Sequence, residues 1–274
     1  MGRARTSAVA TLAWLAAGGP ALAADGAPRQ SAREIARYAT EANQGAAGDA
    51  RHVYAVSNSA VAKYDKRTGA KVAEWRGSPA QVPHLNACAR VGGRLACANS
   101  NYPATPHTSS VEFLDAATMT HVGSVALGPG VGSLTWVDRR GDRWWAGFAN
   151  YDARGGEAGR DHRWTTVVEF DDQWRRLRAW LLPASVLERL KPYSNSGGGW
   201  GVDGLLYLTG HDAPELYVLR LPAAGATLEH VATLDFPVNG QAIAWDRTAP
   251  RTLYGLNRAT REVVGMQVPP VALP

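Results

Sequence analysis

A four-strand text recurs along the chain, and that recurrence constrains the fold more than any other feature. Five segments open on small polar residues and then turn apolar: NQGAAGD from Asn43, HLNACAR from His84, GSLTWVD from Gly132, SGGGWGVD from Ser196 and NGQAIAWD from Asn239. Each leads into a second strand (HVYAVSN, RLACANSN, RWWAGFANYD, LLYLTGHD, TLYGLNR) and a third (VAKYD, SVEFLD, TVVEFD, LYVLRL, EVVGMQV). Turn chemistry such as Asp65-Lys66-Arg67-Thr68-Gly69 follows the third. A fourth strand, KVAEW, HVGSVAL, RRLRAWLL or EHVATLDF, completes four of the five units. Four antiparallel strands at this period make a β-propeller blade. The expected fold is therefore all-β, a five-bladed β-propeller.

The fifth unit stops after its third strand. Glu34-Ile35-Ala36-Arg37-Tyr38, just ahead of Asn43, can supply the missing outer strand, so the ring closes by strand exchange between the termini, which removes the exposed sheet edges an open array would leave. A sixth blade would have no strands to build it, and a β-sandwich is the competing all-β architecture. One short helix is expected near 186–191, because Ser185 and Glu188 have capping-box spacing and Pro192 ends the segment.

The first residues place Arg3 and Arg5 before an apolar run from Ala8 to Ala17, then Gly18-Gly19-Pro20 and Ala21-Leu22-Ala23. This order of charge, short apolar run and small-residue site reads as a secretory signal peptide over 1–23. The run is too short to span a bilayer. A flexible stretch over 24–33 and a single propeller domain over 34–270 follow, in a protein expected in the periplasm or medium. The net charge of +5 raises the question of nucleic acid, but the basic residues are scattered and no recognition motif accompanies them. The charge supports a preference for anionic ligands, and a monomer is expected.

Both cysteines, Cys88 and Cys97, flank Gly92-Gly93. A two-residue hairpin loop there pairs Val91 with Arg94, Arg90 with Leu95, Ala89 with Ala96 and Cys88 with Cys97. The cysteines then oppose each other at a non-hydrogen-bonded position, where side chains come closest. A disulfide fits, and export permits it. Buried free thiols are the alternative, while the spacing matches neither a redox nor a zinc motif.

In a propeller the inner strands begin on the face where the second strands end, so one rim gathers both sets of residues, and binding sites favour that rim or the channel mouth. The inner-strand starts bring Gln44, His84, Asn86, Ser133, Ser196 and Gln241. The second-strand loops bring Ser57 and Asn58, the stretch 99–107 with Asn101, the stretch 150–162 with Asn150, Asp152, Arg160 and His162, then His211, Asp212, Asn257 and Arg258. The insertion NYDARGGEAGRDHRW is charged and carries Gly155-Gly156, as a mobile flap would, or an ordinary solvated loop. His84 and His211 are candidate general bases, Asp212 a partner for the latter. His84, His211, Asp152 and His162 are candidate ligands for a divalent metal ion if they converge. The common serine-hydrolase, zincin and nucleotide-binding motifs are absent, so no nucleotide cofactor is expected. Trp75, Trp145 and Trp245 fall at strand positions suited to packing between blades.

The text VYAVSNSAVAKYDKRTGAKVAEW resembles the loose repeat of the quinoprotein and lactonase-like propellers, in which a strand, a polar gap and a D-x-x-T-G turn recur. The chain is similar to exported bacterial propellers labelled cycloisomerases. The resemblance implies an isomerase, lyase or hydrolase acting on a lactone- or sugar-acid-type metabolite. The quinone enzymes use more blades and ligand sets missing from this chain, so no quinone is expected. On that reading a histidine, His84 or His211, moves a proton while Arg160 or Arg258 holds a carboxylate. A non-catalytic carbohydrate- or peptide-binding propeller and a glutaminyl-cyclase-like enzyme are the competing functions.

Overall fold

The computed structural model describes residues 29–273; the expected signal peptide lies outside them. Strand β1 (Arg33–Ala39) is followed by blade one, β2 (Gly45–Gly48), β3 (His52–Ser57), β4 (Ala60–Asp65) and β5 (Lys71–Arg76). Blade two is β6 (His84–Val91), β7 (Arg94–Ser100), β8 (Thr108–Asp115) and β9 (His121–Pro129). Blade three is β10 (Ser133–Arg140), β11 (Arg143–Ala149), β12 (Thr166–Phe170) and β13 (Arg176–Leu181). After helix α1 (Ala184–Leu190) comes blade four, β14 (Gly197–Trp200), β15 (Leu206–Thr209), β16 (Glu215–Arg220) and β17 (Glu229–Asp235). Blade five has β18 (Ala244–Trp245), β19 (Thr252–Asn257) and β20 (Glu262–Gln267).

All five sheets are four-stranded, and the fifth runs β1-β20-β19-β18. The N-terminal strand thus completes the last blade, with Arg33 opposite Gln267 and Ala39 opposite Glu262. The described part of the 24–33 stretch is tied to blade four: Arg29 reaches Glu215 at 2.8 Å, and Ala32 N–H donates to the Asp235 carbonyl at 2.9 Å.

The blades are held together by apolar seams. Trp145 stacks on Trp180 and meets Trp200 edge-on, with centroids 5.5 and 4.7 Å away, joining blades three and four. Trp245 meets Tyr207 edge-on at 5.0 Å, joining five and four. Near the axis the ring of Trp136 is fully buried between Gly147 and Gly198; a Cβ would meet it at 2.0 and 2.5 Å respectively. Only glycine lets these backbones approach so closely. Inner strands β2 (GAAG) and β14 (GGGW) are small-residue text for this steric reason.

Blade two follows the register its sequence dictates. Val91 pairs with Arg94, and Cys88 with Cys97 in a disulfide whose Cα atoms lie 4.0 Å apart. Beyond Cys88 one extra residue bulges from β6, so that His84 faces Ser100. The helix corrects one expectation: it begins at Ala184 behind Pro183, which offers no side-chain cap. Ser185 lies inside the helix, with its hydroxyl 3.0 Å from His230 Nδ1 rather than closing a capping box. Among the described residues, no helix is long and apolar enough to cross a membrane.

Candidate functional site

The rim where inner strands begin and second strands end opens into a cavity of about 680 Å³. The inner-strand starts contribute Gln44, His84, Asn86, Thr135, Ser196 and Gln241. The second-strand loops contribute Asn58, Tyr102, Tyr151, Arg154, His211 and Arg258, and Tyr193 follows helix α1. No Asp or Glu lines it. Two guanidinium groups therefore face the cavity without an acidic counterpart in its wall, and the local field favours an anion.

Several wall groups are fixed by their neighbours. Gln44 donates from Nε2 to Asn58 Oδ1 at 2.6 Å, and Gln241 donates from Nε2 to the His211 carbonyl at 3.1 Å. His211 stacks on Tyr193 with centroids 4.0 Å apart. Its Nδ1 lies 2.5 Å from Asp212 Oδ1, and its Nε2 lies 3.2 Å from Arg258 Nη1. Arg258 can only donate, so Nε2 accepts and Nδ1 carries the proton toward Asp212. The carboxylate thereby sets the tautomer that leaves a lone pair on the cavity-side nitrogen.

His84 sits across from this pair against Tyr102, with centroids 5.2 Å apart. Burial, then the positive charges of Arg258 and Arg154, pull its pKa down to about 4. At neutral pH it is an uncharged imidazole in a cationic field. Tyr102 packs on Tyr151 at 4.9 Å, and Tyr151 on buried His107 at 5.9 Å. Burial pushes the Tyr151 phenol above its ordinary pKa, so it stays protonated as a hydrogen-bond donor.

The expected site residues divide into two groups. Gln44, His84, Asn86, His211, Gln241 and Arg258 line the cavity, with Asp212 behind His211. The others serve the frame. Ser133 is fully buried and donates to Ser100 Oγ at 2.9 Å. Asn150 donates to the carbonyls of Val131 and Trp164. Asn101 bridges its own loop, donating to the Pro106 carbonyl and accepting from Thr108 N–H. Asn257 accepts from Ala259 N–H in a turn.

Asp152, Arg160 and His162 lie in the blade-three insertion, away from the cavity wall. Asp152 Oδ1 accepts from His162 N–H at 3.0 Å and lies 2.7 Å from its Nδ1. Arg160 donates to the Gly130 carbonyl at 2.5 Å, and Glu157 Oε1 accepts from His107 N–H at 2.5 Å. The insertion is tethered at these points, and Gly155 is packed so closely on Tyr102 that a Cβ would lie 2.5 Å from its ring. It contributes Tyr151, Ala153 and Arg154 to the cavity wall.

The four candidate metal ligands are not brought together. Among the described residues, the one three-member group of metal-ligating side chains is Asp152, Asp161 and His162, with ligand atoms within 4.8 Å of one another. Arg163 engages Asp161 through Nε and Nη2 at 2.9 and 2.6 Å, which leaves that carboxylate poorly disposed to a dication.

Tyr102, Tyr151, Arg154 and Tyr193 are wall residues that the sequence pattern did not single out. Two of them follow second strands in Asn-Tyr dipeptides, Asn101-Tyr102 and Asn150-Tyr151. This recurrence is the signal that marks them.

No protein-family model and no curated protein matches the chain. Solved structures do. The luciferin-regenerating enzyme superposes with a TM-score of 0.50 at 10% identity over 89% of this chain and 97% of that one. Hydrazine synthase of Kuenenia stuttgartiensis gives 0.47 at 14% identity over 80% and 68%. The β-propeller domain of Cps50 (Swd1) from Myceliophteria thermophila gives 0.41 at 15% identity over 82% of each chain. At such identities the likeness is one of fold, a β-propeller.

Proposed function

We propose that this protein is exported and acts on a small carboxylate-bearing metabolite, of the lactone- or sugar-acid type, by proton transfer in the rim cavity. The observation that carries the reading is a cavity of about 680 Å³ walled by Arg154, Arg258 and His211 with no acidic residue among its lining. The disulfide suits an oxidising compartment.

Arg258 takes the substrate carboxylate by charge-assisted hydrogen bonds. In the free protein it donates to His211 Nε2, so its move toward the carboxylate frees that lone pair. His211 Nε2 then takes a proton from a carbon or hydroxyl beside the carboxylate, and Asp212 stabilises the imidazolium through Nδ1–H. The proton returns from Nε2 to another atom of the same substrate, so the reaction is an isomerisation with no co-reactant. Tyr102 and Tyr193 bound the substrate on two sides, and neutral His84 offers a hydrogen bond.

His211→Asn tests this reading against a panel of lactones and sugar acids. Turnover is expected to fall about 10²–10⁴-fold, the usual worth of a general base, with ligand affinity kept within a few-fold. A binding-only propeller predicts no turnover in the wild type. Unchanged turnover in the variant would remove His211 from the mechanism.

A further inference from the structure

Resting on the reading of the cavity as a carboxylate site, we infer that its ligand is a dianion built on a flat, ring-sized body, and that Arg154 is the residue selecting it over monoanions. Arg258 comes from the blade-five loop and Arg154 from the blade-three insertion, so the guanidinium groups enter from non-adjacent blades of the ring. Both act electrostatically on His84, which places the three groups in one field. One ligand carboxylate on Arg258 leaves Arg154 facing the same space without an acid in the wall. A second anionic group on the ligand satisfies it.

The flat body follows from the aromatic walls. His211 and Tyr193 form one ring pair, with centroids 4.0 Å apart, and His84 and Tyr102 form another at 5.2 Å. Aromatic and imidazole faces bind planar groups at little conformational cost. A flexible chain diacid would supply both charges but would lose rotamer freedom on binding and gain little from the rings. The position of Arg154 is sterically set as well. It directly precedes Gly155, whose backbone is pressed on the Tyr102 ring, so the aromatic wall and the second arginine are built as one unit.

Titration calorimetry at neutral pH and low salt, with isophthalate, benzoate and glutarate as probes, tests the inference. Isophthalate is expected to bind about ten- to hundredfold more tightly than benzoate, the worth of one charge-assisted hydrogen-bonded pair. It should also bind more tightly than glutarate. Arg154→Gln should erase the preference for isophthalate over benzoate by weakening isophthalate about ten- to hundredfold, far more than benzoate. Arg163→Gln, in the same insertion but paired with Asp161, should change neither. Equal affinity for isophthalate and benzoate in the wild type, or a preference that survives Arg154→Gln, overturns the inference and leaves the carboxylate reading standing. Glutarate binding as tightly as isophthalate overturns the flat body alone. If no probe binds, or if Arg258→Gln leaves benzoate affinity unchanged, the carboxylate reading itself falls.

Discussion

The two rims of the ring are built from opposite ends of the same strands and treat charge in opposite ways. On the rim away from the cavity, where inner strands end, acids and their partners close on each other. Asp138 accepts from Trp200 N–H at 2.8 Å and from Arg247 Nη2 at 2.6 Å. Asp49 accepts from the Tyr54 hydroxyl and Asp203 from that of Tyr207, both at 2.7 Å, while Asp246 accepts from Tyr254 at 3.1 Å. The motif repeats in blades one, four and five: an Asp just past the inner strand takes a phenol from the second strand. Each burial cost is offset within the frame. On the cavity rim, Arg154, Arg258, His84 and His211 gather without an acid in the wall. One rim closes its acids on partners within the frame; the other lines its cavity with bases and no acid.

Breaking the satisfied rim should produce the largest effect. Asp138→Ala takes the acceptor from Arg247 Nη2 and from the Trp200 N–H, and is expected to cost about 3–5 kcal/mol of unfolding free energy in a urea titration. A loss under about 1 kcal/mol would show that this network is ornamental. Next comes the covalent part of the frame. Cys88→Ser with Cys97→Ser opens a link across a sequence separation of 9 and is expected to cost about 2–3 kcal/mol by the same measurement. Gly198→Ala, whose Cβ would meet the Trp136 ring at 2.5 Å, should cost about 1–3 kcal/mol through overpacking.

His84 gives the cavity rim a pH response of its own. His84 in the folded protein has its pKa pulled down to about 4, below the 6.5 of an ordinary imidazole. Between these values the unfolded chain binds the proton and the folded one does not, so the contribution of His84 to stability falls as pH drops from 6.5 toward 4 and is constant above 6.5. His84→Gln should flatten that part of the profile by about 1–2 kcal/mol, after allowance for solvent screening at a partly exposed site. A carboxylate ligand on Arg258 offsets one of the charges lowering that pKa, so ligand binding near pH 5 should take up protons. Calorimetry in buffers of different ionisation enthalpy reads that uptake, and zero uptake would separate His84 from the anion site.

The contrast also explains what could be read from the chain. Blade strands carry period-two apolar text, and their edges must be paired, so blade number, terminal closure and the Cys88–Cys97 register follow from pattern and sterics. Which strand ends share a rim was equally legible, because it depends only on strand direction. Which rim residues look inward was not. Ser133 and Asn150 are polar at the expected positions yet bond within the frame, and Asp152 and His162 bond each other, because loops have no period to fix side-chain direction. Helix α1 shows the same limit on a small scale. Ser185 had a strong local option as a cap, and contact with His230 on blade four prevailed.

On the proposed reading the cavity rim binds and the opposite rim stabilises. Thermal unfolding with and without saturating benzoate, run on wild type, Arg258→Gln and Arg247→Gln, tests it most directly. Arg258→Gln should melt with the wild type in the absence of benzoate and lose the ligand-induced rise in Tm. Arg247→Gln should melt several degrees lower and keep the full rise. If Arg258→Gln instead lowers the ligand-free Tm, or Arg247→Gln abolishes the ligand-induced rise, the division of labour between the two rims is contradicted.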